Sequence, residues 1–280
     1  WYKNDPEMML YASYLEDDNY KQIQNPYWLT EFSTFVSDDM TADFQAVLMG
    51  NMTAQDCVSG WAAKIDEYRT AGVENILALR GDLPAGATED DKPASDYAYA
   101  RDLIPELVDA GFCVGAAAYP EGHIACRSLE ADISFLKQKQ DEGADYIMTQ
   151  LCWDMDQFRY WMDAIRAAGI WLPVDVGIMP VLDAAATINM ALSRNGCVMS
   201  RDLCEIISKH WIFPNPFAPN ESEESIAAKK ASFKEAGIEY TIKLIDEYRV
   251  CGINGIHLYA LNKYDDVARI VKESGIVDLI

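Results

Sequence analysis

The chain has 280 residues, of which 50% are apolar, so it is long enough to bury a large core in one domain. Its 45 acidic and 23 basic residues give a formal charge of -22, which argues against nucleic acid or an anionic membrane as the main partner. The 7 cysteines are scattered without a C-x-x-C pair, which indicates neither a disulfide framework nor a self-contained zinc or iron–sulfur site. Because signal-like and membrane-spanning stretches are absent, we expect a cytoplasmic protein.

Short apolar runs alternate with amphipathic helical patterns from about residue 45 onward. The runs lie at 46–50, 75–81, 112–120, 146–151, 174–180 and 255–261. Nearly continuous apolar runs of this length are typical of strands that are covered on both faces. Their alternation with helical patterns predicts βαβ units and a parallel sheet.

The helical patterns carry start and stop signals. Residues 128–142 place apolar side chains at helical spacing and are followed by Gly143, which is typical of a helix end. The segment 181–254 departs from the simple strand–helix repeat. It is either a lid or wall over the substrate, or a solvent-exposed insertion without a role in the site. Within it we predict a helix from about Asp183, another over 201–210, a loop over 213–222 and a long helix ending near Cys251.

Two architectures fit this rhythm, a closed (β/α)8 barrel and an open doubly wound sheet. No G-x-G-x-x-G motif follows a strand, which weakens the dinucleotide-binding open sheet. Polar residues instead follow several strands, and a barrel gathers such strand ends into one ring. We therefore predict a single TIM-type barrel over residues 1–280. Its units before residue 45 would be degenerate or incomplete, because only 27–36 offers strand-like sequence there.

The motifs at these strand ends resemble those of the methylenetetrahydrofolate reductase family. They are NILALRGDLPAG, AAAYPEGH, SLEADISFLKQKQDEGADYIMTQLCWD, VDVGIMPV and IHLYALNK, in the family's order from about residue 46 to 263. The resemblance implies a (β/α)8 enzyme of one-carbon metabolism that holds FAD in the barrel mouth. It also implies that a hydride passes from NADH or NADPH through FAD to 5,10-methylenetetrahydrofolate, which gives 5-methyltetrahydrofolate.

The resemblance further implies which residues contact the cofactor. They are Arg80, Asp82, Ala118, Tyr119, His123, Asp132 and Lys139. A carboxylate beside the flavin pyrimidine edge, as implied for Asp82, would tune how readily the hydride leaves. Lys139 would bring a positive charge to the pyrophosphate of an otherwise acidic protein. Two positions depart from the family pattern: Phe135 stands where a polar residue is often found, and Gly50 where a histidine contacts the flavin.

The catalytic and substrate-binding residues implied by the resemblance come from other strand ends. Glu31 and Asp82 are the implied catalytic residues, and Glu31 would help to protonate folate N5. However, Glu31 lacks the prolines of the family motif, and its spacing to Asp82 is short for two βα units. The implied substrate-binding residues are Gln150, Tyr259, Leu261 and Lys263. The Gln150 amide offers both a donor and an acceptor, as the edge of a pterin ring requires.

Several alternatives remain open at this point. Asp82 could serve as an ordinary ion-pair partner or cap, Asp132 and Lys139 as a solvated helix face, and Gln150 as a glutamine satisfied inside the barrel. A second interpretation is another flavin-dependent barrel enzyme, although the motifs of such an enzyme are not found. A third is a barrel subunit that receives electrons from an iron–sulfur or flavin partner protein, or a flavin-barrel pseudoenzyme. We expect a homo-oligomer or a subunit of a larger complex.

Overall fold

A computed structural model of the chain describes residues 67–79, 99–193, 197–210 and 222–276. The candidate residues Glu31, Arg80 and Asp82 lie outside these ranges, as does the strand predicted at 46–50. What the sequence indicates for these positions therefore stays a prediction.

Five strands are described, all within the predicted apolar runs. They are β1 Asn75–Ala78, β2 Cys113–Ala118, β3 Tyr146–Thr149, β4 Val174–Ile178 and β5 Gly255–Leu258. They form one sheet in chain order, and the pairs β2–β3, β3–β4 and β4–β5 are parallel. Each run extends past its strand, and the candidate residues Tyr119, Gln150 and Tyr259 lie in these extensions.

Helices follow the strands as the alternating pattern predicts. They are α1 Ala100–Asp109, α2 Leu129–Asp141, α3 Met155–Ala167, α4 Ala184–Leu192, α5 Arg201–His210, α6 Glu223–Val250 and α7 Tyr264–Glu273. The Ser128 hydroxyl accepts a hydrogen bond from the Ala131 N–H at 3.2 Å and so caps α2, and Asp183 caps α4 in the same way. Gly143 follows α2 with φ of +105°, which confirms its predicted place at the helix end.

The core lies between the sheet and the helices that cover it. Ile147 of β3 and Val176 of β4 have no exposed surface, and neither have Phe158 and Trp161 of α3. The Phe158 ring meets the ring of Tyr248 edge to face, with centroids 4.7 Å apart. Burial of these side chains explains why the strands read as nearly continuous apolar runs.

Contacts divide the chain into two compact units. The smaller unit includes the described residues 67–76 and 109–112, in which Arg69 Nη1 donates to the Ala110 carbonyl at 3.5 Å. The larger unit includes residues 77–79 and 99–108 and the described residues from 113 onward. All the described candidate site residues belong to the larger unit. Among the described helices, none combines the length and the apolar character that crossing a membrane would require.

Candidate functional site

The loop after β2 carries two of the predicted cofactor residues. Two successive turns form there, because Gly122 N donates to Tyr119 O at 2.9 Å and Cys126 N donates to His123 O at 2.8 Å. The rings of Tyr119 and His123 meet edge to face, with centroids 4.6 Å apart. The Ala125 N–H donates to His123 Nδ1 at 3.1 Å, so a neutral imidazole carries its proton on Nε2. Both rings are therefore held in a defined orientation before any ligand binds.

Asp132 and Lys139 lie on α2, as the sequence predicts, and they interact electrostatically. Lys139 Nζ donates to the carbonyl oxygen of Ala117 in β2 at 2.7 Å. Burial lowers the pKa of Lys139, and the nearby Asp132 charge acts in the opposite direction. Burial raises the pKa of Asp132, whereas Lys139 and the His123 backbone N–H lower it. Each charge thus offsets part of the free-energy cost of burying the other. The hydrogen bond from Lys139 to Ala117 O connects α2 to the end of β2.

The end of β3 places Gln150 beside the end of β2. The Gln150 backbone N–H donates to Ala118 O at 2.8 Å, which continues the hydrogen-bond ladder between the two strands. Its side-chain Oε1 accepts from the Leu151 N–H at 2.8 Å. Within the described ranges, Gln150 Nε2 has no hydrogen-bond partner. The side chain is therefore oriented by its acceptor atom and retains its donor for a ligand.

The end of β5 contributes Tyr259, which is half-buried. Its backbone N–H donates to Ile178 O at 2.9 Å, and its ring meets His257 edge to face at 4.7 Å. The ring lies over Gly177, where an added Cβ would come within 3.0 Å of the tyrosine hydroxyl. Burial raises the pKa of Tyr259, and the nearby Cys197 and Tyr119 add to this effect. A small residue in β4 therefore lets an aromatic ring from β5 lie across the strand ends.

The two remaining candidates of this strand end are exposed. Leu261 and Asn262 have φ of 46° and 60°, in the left-handed region that few residues other than glycine adopt. Lys263 is the residue before α7 and makes no side-chain capping bond. The structure thus gathers Ala118, Tyr119, Gln150 and Tyr259 at the carboxyl ends of the strands, while Leu261 and Lys263 lie on the surface.

Glu121 also follows β2, and the sequence leaves open whether it belongs to the site or is a solvated loop charge. Its Oε2 accepts from the Val198 N–H at 2.6 Å, and the Cys152 thiol lies beside the same carboxylate. Burial raises the pKa of Glu121 to about 7, although the bond from Val198 lowers it. With His123, Glu121 lines a pocket of about 440 Å³. Its partner lies 77 positions away, and no local pattern predicts such a contact.

The similarity to known proteins covers most of the chain and not only the single motifs. Residues 30–275 match the family model described as methylenetetrahydrofolate reductase. Methylenetetrahydrofolate reductase 1 of Schizosaccharomyces pombe is 32% identical over 219 residues, which are 77% of this chain and 33% of that protein. Methylenetetrahydrofolate reductase 2 of Saccharomyces cerevisiae is 36% identical over 166 residues, 56% of this chain and 28% of that protein. The 5,10-methylenetetrahydrofolate reductase of Escherichia coli is 38% identical over 115 residues, 41% of this chain and 37% of that protein.

The chain spans about a third of the length of the curated relatives that it matches. Among solved structures, an uncharacterized Clostridium thermocellum protein that binds two copies of 5-methyl-5,6,7,8-tetrahydrofolic acid covers 65% of this chain, and 62% of that protein is covered. The TM-score is 0.39 and the identity 15%, so this overlap carries no argument about fold or ligand.

The family match also decides between the two architectures that the sequence allowed. The predicted (β/α)8 barrel is confirmed, because the matched family has this fold and the described strands alternate with helices in a sheet with parallel pairing. The match covers 246 residues, from 30 to 275, and so includes all five described strands. The chain belongs to the methylenetetrahydrofolate reductase family.

Proposed function

We propose that the protein reduces 5,10-methylenetetrahydrofolate to 5-methyltetrahydrofolate by hydride transfer through FAD, in the cytoplasm and as a single barrel domain. The observation that carries the proposal is the family match over residues 30–275. The Arabidopsis thaliana and Caenorhabditis elegans relatives are named as NADH- and NADPH-type reductases, which supports a reduced nicotinamide as the donor. We also propose that the protein forms a homo-oligomer or is a subunit of a larger complex.

The described residues offer the groups that a flavin dinucleotide needs. Lys139 provides a cation on an acidic protein, and Asp132 provides a carboxylate that can accept from a ribose hydroxyl. Tyr119 and His123 present fixed rings at the end of β2. FAD bound there would accept a hydride from the nicotinamide and deliver it to the folate. The fit supports FAD as the cofactor.

Other residues would position the substrate. The Gln150 Nε2 is available to donate to an acceptor on the pterin edge, while its Oε1 stays bonded to the Leu151 N–H. The half-buried Tyr259 ring would form an apolar wall that excludes water from the reacting atoms. Leu261 and Lys263, both exposed, would meet the part of the folate that projects from the barrel. We assign the proton for folate N5 to Glu31 and the electrostatic control of the flavin to Asp82.

An anaerobic reaction in two steps tests the proposed function. Purified protein saturated with FAD should lose its visible flavin band when NADH or NADPH is added, and the band should return when methylenetetrahydrofolate follows. 5-Methyltetrahydrofolate is the matched control, because it has no methylene group left to reduce and should not restore the band. A band that nicotinamide bleaches but methylenetetrahydrofolate does not restore contradicts the reductase. Protein that binds no added FAD favours the pseudoenzyme, and bleaching only by a partner protein favours the complex subunit.

A further inference from the structure

Arg101, in the first turn of α1, lies against two aromatic rings. Its guanidinium carbon is 4.8 Å from the centroid of the Tyr99 ring and 5.7 Å from that of the Phe135 ring. Its Nη1 donates to Gln138 Oε1 at 2.6 Å, and its Nε is 3.5 Å from Asp102 Oδ1. A guanidinium held between rings keeps its planar set of donors in one orientation.

The surroundings of Arg101 belong to the helix face that carries two implied cofactor residues. Asp132, Phe135 and Lys139 are three, four and seven positions apart on α2, so they share one side of the helix. Gln138, which accepts the hydrogen bond from Arg101, is adjacent to Lys139 in the chain. The Arg101 guanidinium therefore contacts two residues of α2, Phe135 and Gln138, that lie four positions and one position before Lys139.

Both aromatic rings that contact Arg101 are exposed and contribute little to the core. Tyr99 is 53% exposed and Phe135 is 44% exposed. Phe135 also stands where the family often has a polar residue. In this chain, that position supports an arginine from α1 instead of offering a polar group of its own.

The charge of Lys139 alone is a weak counterpart for a pyrophosphate. Its Nζ already donates to Ala117 O and is neighboured by the Asp132 charge. A pyrophosphate carries two negative charges and binds to a protein whose formal charge is -22. A second cation near Lys139 would offset this repulsion. The contacts of Arg101 with described residues use Nη1 and Nε, so the Nη2 group can still donate hydrogen bonds to a phosphate.

We propose that Arg101 is a further cofactor-binding residue, which binds the phosphate groups of FAD beside Lys139 and is oriented for this role by Tyr99 and Phe135. This inference rests on the proposed function, because that function supplies the cofactor. It adds a cation beside Phe135, which stands where the resemblance implies a polar residue.

Flavin titration tests the inference without any turnover. Riboflavin, FMN and FAD share the isoalloxazine ring and differ in their phosphate groups, and binding of each changes flavin fluorescence. Loss of charge-assisted hydrogen bonds should make Arg101→Gln bind FAD about tenfold to a hundredfold more weakly. Riboflavin affinity should not change, and added salt should weaken FAD binding less in this variant than in the parent.

Two further variants separate charge from structure. Arg101→Lys keeps the charge but not the planar fork, so it should recover part of the FAD affinity that Arg101→Gln loses. Arg249→Gln removes an equal charge from a surface pair with Asp246 on α6, and it should leave FAD binding unchanged. Circular dichroism of every variant would verify that the fold is retained.

The outcomes distinguish failure of this inference from failure of the proposed function. If the parent protein binds FAD and Arg101→Gln binds it equally well, the inference is wrong and the proposed function stands. If Arg101→Gln loses riboflavin and FAD affinity to the same degree, Arg101 acts on the fold or the ring and not on phosphate, which also overturns the inference. If the parent protein binds no FAD, the proposed cofactor fails, and the role of Arg101 fails with it.

Discussion

Lys139 is predicted to meet the cofactor pyrophosphate and Lys263 the folate, yet the structure gives these two lysines opposite surroundings. Lys139 is half-buried on α2, donates to Ala117 O and lies beside the Asp132 charge. Lys263 is exposed before α7 and makes no side-chain capping bond. The comparison indicates that the proposed cofactor side of the site is held by the protein's own contacts, whereas the proposed substrate side is exposed and makes fewer of them.

The loops that carry these two sides differ in the same way. After β2, Tyr119 and His123 are oriented by two turns and by a contact between their rings. After β5, the backbone passes through two left-handed residues, Leu261 and Asn262, and the side chains that follow are exposed. A preorganised loop suits a cofactor that remains bound, and an exposed loop suits a substrate that must enter and leave at every turnover.

The largest effect is expected where Lys139 is removed. Lys139→Ala leaves the Asp132 charge without its partner and deletes the hydrogen bond to Ala117 O, which should lower the free energy of unfolding by about 2–3 kcal/mol. FAD affinity should fall with it. Urea unfolding and flavin titration measure the two effects. Lys263→Ala is the matched control, because an exposed lysine should change the unfolding free energy by less than about 0.5 kcal/mol. Equal stability losses in both variants would contradict the contrast between the two sides.

Gln150 lies between the two sides and should affect substrate more than cofactor. Gln150→Glu replaces the donor Nε2 by a carboxylate oxygen that only accepts, so methylenetetrahydrofolate affinity should fall about tenfold. FAD affinity serves as the internal control and should change little. The measurement is the KM for methylenetetrahydrofolate together with flavin titration. An unchanged KM would remove Gln150 from the substrate site.

Glu121 permits a prediction about pH. Its pKa in the folded protein is raised by burial from 4.5 to about 7, so the folded protein binds more protons than the unfolded chain between these values. The contribution of Glu121 to stability must therefore fall as the pH rises from 4.5 to about 7, and this contribution should stay level above that. Glu121→Gln keeps an acceptor for the Val198 N–H and removes the charge, so its Tm should exceed that of the parent by about 2–4 °C at pH 8 and match it near pH 4.

Glu130 on α2 provides the matched control with the opposite sign. Hydrogen bonds from its own backbone N–H and from Ser128 lower the pKa of Glu130, so its charged form supports the fold above the ordinary pKa. Glu130→Gln should therefore lower the Tm slightly at pH 8, and this difference should shrink as the pH falls. A Tm gain in both variants would show that lowering the net charge, and not the burial of Glu121, is responsible.

The sequence predicted the strands and the main helices because their signals are local. The apolar run at β4, the Gly143 stop of α2 and the capping residue Asp183 each act within a few positions of the chain. The placement of Asp132 and Lys139 on one helix face followed from their spacing. Tertiary contacts were not predictable in this way.

Glu121 and Arg101 show where the local reasoning ends. The bond from Val198 to Glu121 spans 77 positions, and the bond from Arg101 to Gln138 spans 37. Burial of a carboxylate in a turn, or the holding of an arginine between two rings, depends on which segments meet in three dimensions. The sequence placed Glu121 at a strand end but did not show its burial or its contact with Val198, and Arg101 emerged only from the structure.

The smallest effect, and the sharpest test of the exposed side, concerns Leu261. Its φ of 46° is unfavourable for a leucine, so Leu261→Gly should relieve local strain and raise the free energy of unfolding by about 0.5–1 kcal/mol. The same change deletes a side chain that is proposed to meet the projecting part of the folate, so the KM for methylenetetrahydrofolate should rise while kcat changes little. Asn262→Gly has the same backbone setting, with φ of 60°, but removes no implied contact, and it should change stability without changing KM. If KM rises equally in both variants, loop rigidity and not the leucine side chain governs substrate binding, and Leu261 is not a substrate-binding residue.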